Sequence, residues 1–229
     1  MRGPELNLVF SRIGETQAPL PAPAAALIGF VALLLVFSGA DILLTYIDTM
    51  AHEGAHALVG WGLGQKILGV AIVPGGDGAT WLRPGRGVSF LIAGVVGYFG
   101  PSGFGLGGAK LISMGHPIAA LWTGFFLLVL LSLTVKNPFS ILMVLILGGL
   151  TYLAVRYAGV GVQVTAAYAL TWVLLFYGLR TVVRHNRNAG DALILAQLTH
   201  IPRTAWAVTW FAGSAWALLL GGDLLVVGR

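Results

Sequence analysis

The sequence predicts an all-α polytopic membrane protein of six to seven transmembrane helices with a small β-hairpin-like loop. Two observations predict the membrane class. Hydrophobic residues make up 57% of the 229-residue chain and charged residues 9%, against roughly a quarter charged in an average soluble domain. Seven apolar segments, at about 22–38, 41–63, 88–109, 117–135, 139–156, 162–183 and 204–227, follow one another, and most have the roughly 17–25 residues a helix needs to span hydrocarbon. A third observation supplies the hairpin. In the connection 64–87, "ILGVAIV" is β-prone, "GGDG" is a turn, and "ATWL" can return as a second strand near the cytosolic surface.

Taken in order, residues 1–20 are mixed and polar and read as a short cytosolic N-terminal arm, and residues 21–229 as a single transmembrane domain. Residues 22–63 as one helix would be about 60 Å long, twice the hydrocarbon thickness, so a break is expected at Ser38-Gly39. Seven crossings with the N-terminus inside put Arg2, Arg12, Lys66, Arg83, Arg86, Lys136, Arg180, Arg184, Arg187 and Arg203 on the cytosolic side, and only Lys110, Arg156 and Arg229 outside. Merging the first two segments leaves five cations on the arm's side against eight on the other, a weaker bias, so the positive-inside rule favours seven. "SGA" at 38–40 resembles a signal-peptidase site, but the polar arm before it fits an uncleaved first helix. The next helix carries several glycines and Pro101, expected to bend it and to let neighbouring backbones approach. The net charge of +5 comes from arginines and lysines at segment ends and does not indicate nucleic acid. With no cysteine, disulfides and thiolate metal sites are excluded.

"HEGAH" at 52–56 carries the chemistry. On a helix His52 and His56 lie one turn apart on one face, so both imidazoles can reach one metal ion. Glu53 is rotated by about 100° from His52, beside the ion rather than on it. This is the arrangement of the zinc-peptidase motif: Zn2+ polarises the substrate carbonyl and acidifies its water, and Glu53 is the general base that relays the proton to the leaving amine. Such ionisable groups are expensive inside a membrane and functional by default.

A catalytic zinc site needs a third protein ligand. Asp41, His116 and Asp223 lie toward the outer side. Asp48 lies about 12 Å before His56 on the same helix, too far to share the ion. Asp77 sits between glycines and reads as a turn residue. His185, Asp191 and His200 remain. Asp191 opens "GDALILAQLTHIP", an apolar stretch too short to span, which suggests that it dips into the protein; at that place a carboxylate can equally be a plain helix N-cap.

The chain resembles the site-2 protease superfamily of zinc intramembrane metalloproteases, most closely its compact M50B-like bacterial branch. The likeness rests on "HEGAH", the hairpin loop after it, "GYFGPSG" at 97–103 and "GDALILAQLTHIP" at 190–202, in that order along the chain. In the superfamily a later aspartate is the third zinc ligand, which implies that role for Asp191. The chain has "GDAL" where better-known members carry Leu-Asp-Gly, the Asn-x-x-Pro stretch before that motif is missing, with "KNPF" at 136–139 lying much earlier, and there is no room for an inserted PDZ domain.

The expected function is therefore a zinc-dependent intramembrane peptidase in the cell (cytoplasmic) membrane. Glu53 is its catalytic residue, His52, His56 and Asp191 are its metal ligands, and its partners are the lipid bilayer and a membrane-embedded or membrane-adjacent peptide substrate. The hairpin at 68–83 could hold that peptide by strand addition. A non-proteolytic zinc-binding scaffold, or a membrane zinc hydrolase acting on lipid amides, would use the same residues.

Overall fold

A computed structural model of the protein describes residues 11–39, 42–83, 87–185 and 190–228. Residues 1–10 of the arm, Asp41, Arg86, Arg187, Arg229 and the side chain of His185 lie outside the described residues. The elements are α1 (Ala22–Ser38), α2 (Ile42–Gly62), β1 (Ile67–Ile72), β2 (Gly78–Leu82), α3 (Val88–Ser113), α4 (Pro117–Ser132), α5 (Pro138–Tyr157), α6 (Val160–His185), α7 (Gly190–Thr199) and α8 (Arg203–Val226). Their ends follow local chemistry. Proline stands in the first turn of α1, α4 and α5, where its missing N–H costs nothing. Gly39 and Gly115, at φ of 76° and 84°, take the left-handed backbone after α1 and α3.

Helix α3 is the centre of the bundle, packed against α2, α6 and α8. Small residues on its inner side make this possible. A Cβ on Gly100 would stand 2.5 Å from the Ala51 carbonyl oxygen of α2, so only glycine lets the two backbones approach this closely. The helix continues through Pro101. Tyr168, Trp172 and Leu175 of α6 form the main core with Ala25 and Val36 of α1 and Ile112 of α3. Outward-facing leucines and aromatics, among them Phe30 and Leu34 of α1, Leu145 and Leu153 of α5 and Leu219 of α8, are exposed. That is the surface of a protein solvated by lipid rather than water.

Among the described residues four helices, α3, α5, α6 and α8, are long and apolar enough to cross a membrane, and α1 with α2 adds a fifth span if the bent pair is counted as one. Helix α4 is apolar but has 16 residues, about 24 Å against the roughly 30 Å of hydrocarbon. The axes of α1 and α2 differ by 94°.

The arm does not lie at the hairpin end of the bundle, where seven crossings would put it. The Gln17 N–H donates to the Gly115 carbonyl at 2.8 Å, and His116 Nδ1 approaches the Glu15 carbonyl at 3.3 Å. Residues 15–17 therefore lie at the same end of the bundle as the α3–α4 turn, whereas seven crossings require opposite ends. The reason is the depth of the break. Thr45, in the first turn of α2, hydrogen-bonds Tyr177 at 3.3 Å, beyond the midpoint of α6. Helix α2 thus begins inside the bundle, not at its outer end.

The hairpin forms as the β-prone runs and the turn signal predict, with β1 and β2 antiparallel. Its far edge is already occupied. Val70 exchanges backbone hydrogen bonds with Thr134 and Lys136, each at 2.9 Å. The Asn137 amide donates to the Ile72 carbonyl at 2.7 Å, and the Ile72 N–H donates to Ser140 Oγ at 2.6 Å. "KNPF" therefore fastens β1 to the start of α5. The outer edge of β2 has no strand partner among the described residues.

Candidate metal centre

Helical spacing places His52 and His56 on one face of α2, and α7 carries Asp191 to them from 135 residues further along the chain. His52 Nε2 and His56 Nε2 are 3.2 Å apart, and Asp191 Oδ2 is 3.1 Å from each. Three ligands roughly 2.0–2.2 Å from a tetrahedral ion would stand about 3.3–3.6 Å apart, so the triangle is slightly small but near the right size. Its chemistry fits as well. His56 Nδ1 lies 2.6 Å from the Ala93 carbonyl, to which it can only donate. A neutral His56 therefore turns the lone pair of Nε2 inward. Asp191 Oδ2 and His52 Nε2 stand 3.1 and 3.2 Å from that nitrogen, a donor set that suits a cation.

Asp191 stands inside the first turn of α7, and the partners of its carboxylate are the two histidines. Leu195, one turn on, is 1% exposed and packs with Tyr98, Val182 and Trp210, so α7 dips into the protein as its apolar run suggested. Of the other candidates, His200 is exposed beyond the end of α7, and Asp77 lies at the hairpin turn. Among the described residues the one group of side chains able to hold a metal ion is His52, His56 and Asp191.

Glu53 is buried on the adjoining face of α2. Thr80 of β2 donates to Glu53 Oε2 at 2.6 Å, so the hairpin holds this carboxylate. A Cβ on Gly78 would stand 2.7 Å from Glu53 Oε1, so glycine here leaves space for the acid. Tyr98 meets the His52 ring edge-on at a centroid distance of 4.8 Å and stacks on Trp210 at 4.3 Å. These groups border a cleft of about 820 Å³ bounded by α2, β2, α6 and α7. Arg180 and Arg184, read from the sequence only as topology signals, also line it. Thr80 carries no signal in the sequence, because its contact depends on the hairpin's placement against α2. Tyr98 stood inside the quoted "GYFGPSG" without a role.

Gly97 makes room for the centre. A Cβ there would overlap His56 Nε2 and stand 2.7 Å from His52 Nε2. Gly97→Ala should therefore weaken Zn2+ binding by more than the roughly tenfold to hundredfold typical of an outer-partner loss. Chelator competition on the purified protein measures this, and unchanged affinity would show that the ligand nitrogens point elsewhere.

A family model described as Peptidase M50B-like matches residues 24–221. No curated protein and no solved structure matches the chain.

Proposed function

Because the chain belongs to the peptidase M50B-like family, and is thus a membrane protein of the metallopeptidase class, we propose that it is a zinc-dependent intramembrane peptidase of the HExxH type. It hydrolyses peptide bonds in membrane-embedded or membrane-adjacent segments. The observation that carries this reading is the convergence of His52, His56 and Asp191 on one point, with Glu53 on the same cleft.

His52, His56 and Asp191 would hold the ion. Zinc bound there supplies Lewis acidity toward the peptide carbonyl and the attacking water. Glu53 takes a proton from that water as it attacks the carbonyl carbon. It then returns the proton to the amide nitrogen as the C–N bond breaks, leaving a carboxylate and an amine. Thr80 orients Glu53 by holding Oε2, which leaves Oε1 to meet the water. A helical substrate must unwind before its carbonyl can be attacked, since the helix engages that carbonyl in an i,i+4 hydrogen bond. The unpaired edge of β2 runs along the cleft and would hold the extended segment as an added strand.

The orientation follows from the placement of the arm beside the α3–α4 turn. Counting α1 and α2 as one broken crossing, and the 16-residue α4 as another beside α3, α5, α6 and α8, gives six crossings. Eight of the thirteen lysines and arginines then flank the hairpin end, so the cleft opens toward the cytosol and the arm lies outside, in a cytoplasmic membrane. Reporters at the N-terminus and after Gly115 should read on one side, and one after Arg86 on the other. An N-terminal reporter on the Arg86 side would restore seven crossings.

The activity itself is tested by comparing wild type with Glu53→Gln on membrane peptides and lipid amides. Cleavage of the peptide that depends on Glu53 is the expected result. Cleaved lipid with intact peptide would move the assignment to a lipid amidase. Zinc bound without Glu53-dependent turnover would leave a scaffold.

A further inference from the structure

The two histidines are supported unequally. His56 Nδ1 meets the Ala93 carbonyl at 2.6 Å, which fixes its ring and leaves Nε2 for the ion. His52 Nδ1 is buried with no hydrogen-bond partner among the described residues. One turn earlier on α2 stands Asp48, 6% exposed. Thr181 of α6 donates to its Oδ2 at 2.5 Å, and its Oδ1 is buried and likewise without a hydrogen-bond partner. Side chains four residues apart share a face, and helical side chains lean toward the N-terminus, so the His52 ring leans toward Asp48. A buried donor and a buried acceptor, each lacking a partner and one turn apart, complete one another.

We propose that Asp48 is the positioning residue of His52. When the metal is bound, Asp48 Oδ1 accepts a hydrogen bond from His52 Nδ1–H, directly or through one buried water, while Thr181 anchors the other oxygen to α6. The contact fixes the tautomer with Nε2 free for the ion, and the carboxylate makes that nitrogen a stronger ligand. Asp48 is no ligand itself. It gives His52 what the Ala93 carbonyl gives His56, and it ties the metal helix to the wall of the cleft. The inference rests on the metal reading of the centre given above.

The test is the zinc dissociation constant of the purified full-length protein, by chelator competition, for wild type, Asp48→Leu, Asp48→Asn and His56→Ala. An apolar side chain of similar size removes the acceptor without leaving a new buried polar group on Asp48's side. Asp48→Leu should weaken zinc binding about tenfold to hundredfold; it also removes the Thr181 hydrogen bond and lowers the thermal transition of the metal-free protein, so the affinity of the folded protein is the deciding readout. Asp48→Asn should recover part of the loss, because its amide oxygen can still accept. A merely structural role would shift the transition and leave the affinity of the folded protein alone, and unchanged affinity in Asp48→Leu overturns the proposal. Should Asp48→Leu not fold, a structure of the zinc-loaded wild type decides. Asp48 Oδ1 within about 2.6–3.2 Å of His52 Nδ1, or one water away, supports the proposal, and any other partner for His52 Nδ1 overturns it. Equal zinc binding by wild type and His56→Ala is a different outcome, because it removes the metal centre as a whole.

Discussion

Glu53→Gln should keep a full complement of zinc and lose turnover by a factor of about 10² to 10⁴ or more. The two effects separate because Glu53 is outside the ligand triangle: the atoms that converge are His52 Nε2, His56 Nε2 and Asp191 Oδ2. Glutamine preserves the shape and can still accept from Thr80 through its amide oxygen, as Glu53 does at 2.6 Å. What it cannot do near neutral pH is take a proton from water. Zinc content by elemental analysis and cleavage of a membrane peptide measure the two halves on one sample. Full activity in Glu53→Gln would remove the general-base role and with it the mechanism.

Asp191 gives the other large effect. Its carboxylate oxygen stands 3.1 Å from both ligand nitrogens, so Asp191→Ala removes one of three ligands and should lose zinc as badly as His56→Ala. In both variants the loss should exceed the roughly tenfold to hundredfold cost of an outer partner. Asp191→Asn is the sharper variant. Asparagine caps a helix as well as aspartate does, so a helix-terminal role would leave zinc and activity intact. A neutral amide is a poor zinc ligand, and a ligand role predicts that Asp191→Asn loses most of both. Retention of zinc by Asp191→Asn would take Asp191 out of the ligand set.

Much of this was legible because it is local. Apolar run lengths located the helices to within a few residues, and "HEGAH" is a statement about one turn of one helix. The hairpin could be read from turn chemistry alone. What could not be read depends on distant packing. Asp191 could not be separated from His185 and His200 by spacing, since only the seating of Leu195 among Tyr98, Val182 and Trp210 brings α7 inward. Thr80 reaches Glu53 through the placement of the hairpin against α2, and Asp48 matters through Thr181 of α6. The end of the bundle at which the arm lies was misread for a different reason. Counting charges presupposes that each apolar segment is a full crossing, and α2 begins at mid-depth beside Tyr177. The polar groups that the chemistry needs, Asp48, His52, Glu53 and His56, lie on that partial segment, where the surrounding helices and the hairpin can satisfy them.

The proposed hydrolysis of peptide bonds in the membrane needs one zinc ion, held by His52, His56 and Asp191. The most direct test strips the purified protein with a chelator and titrates zinc back while following cleavage of a membrane peptide. Activity should vanish on stripping and return in full at one zinc per chain in the wild type, with no recovery in His56→Ala. A stripped protein that still cleaves the peptide, or a wild type whose zinc-restored activity His56→Ala shares, would contradict that requirement.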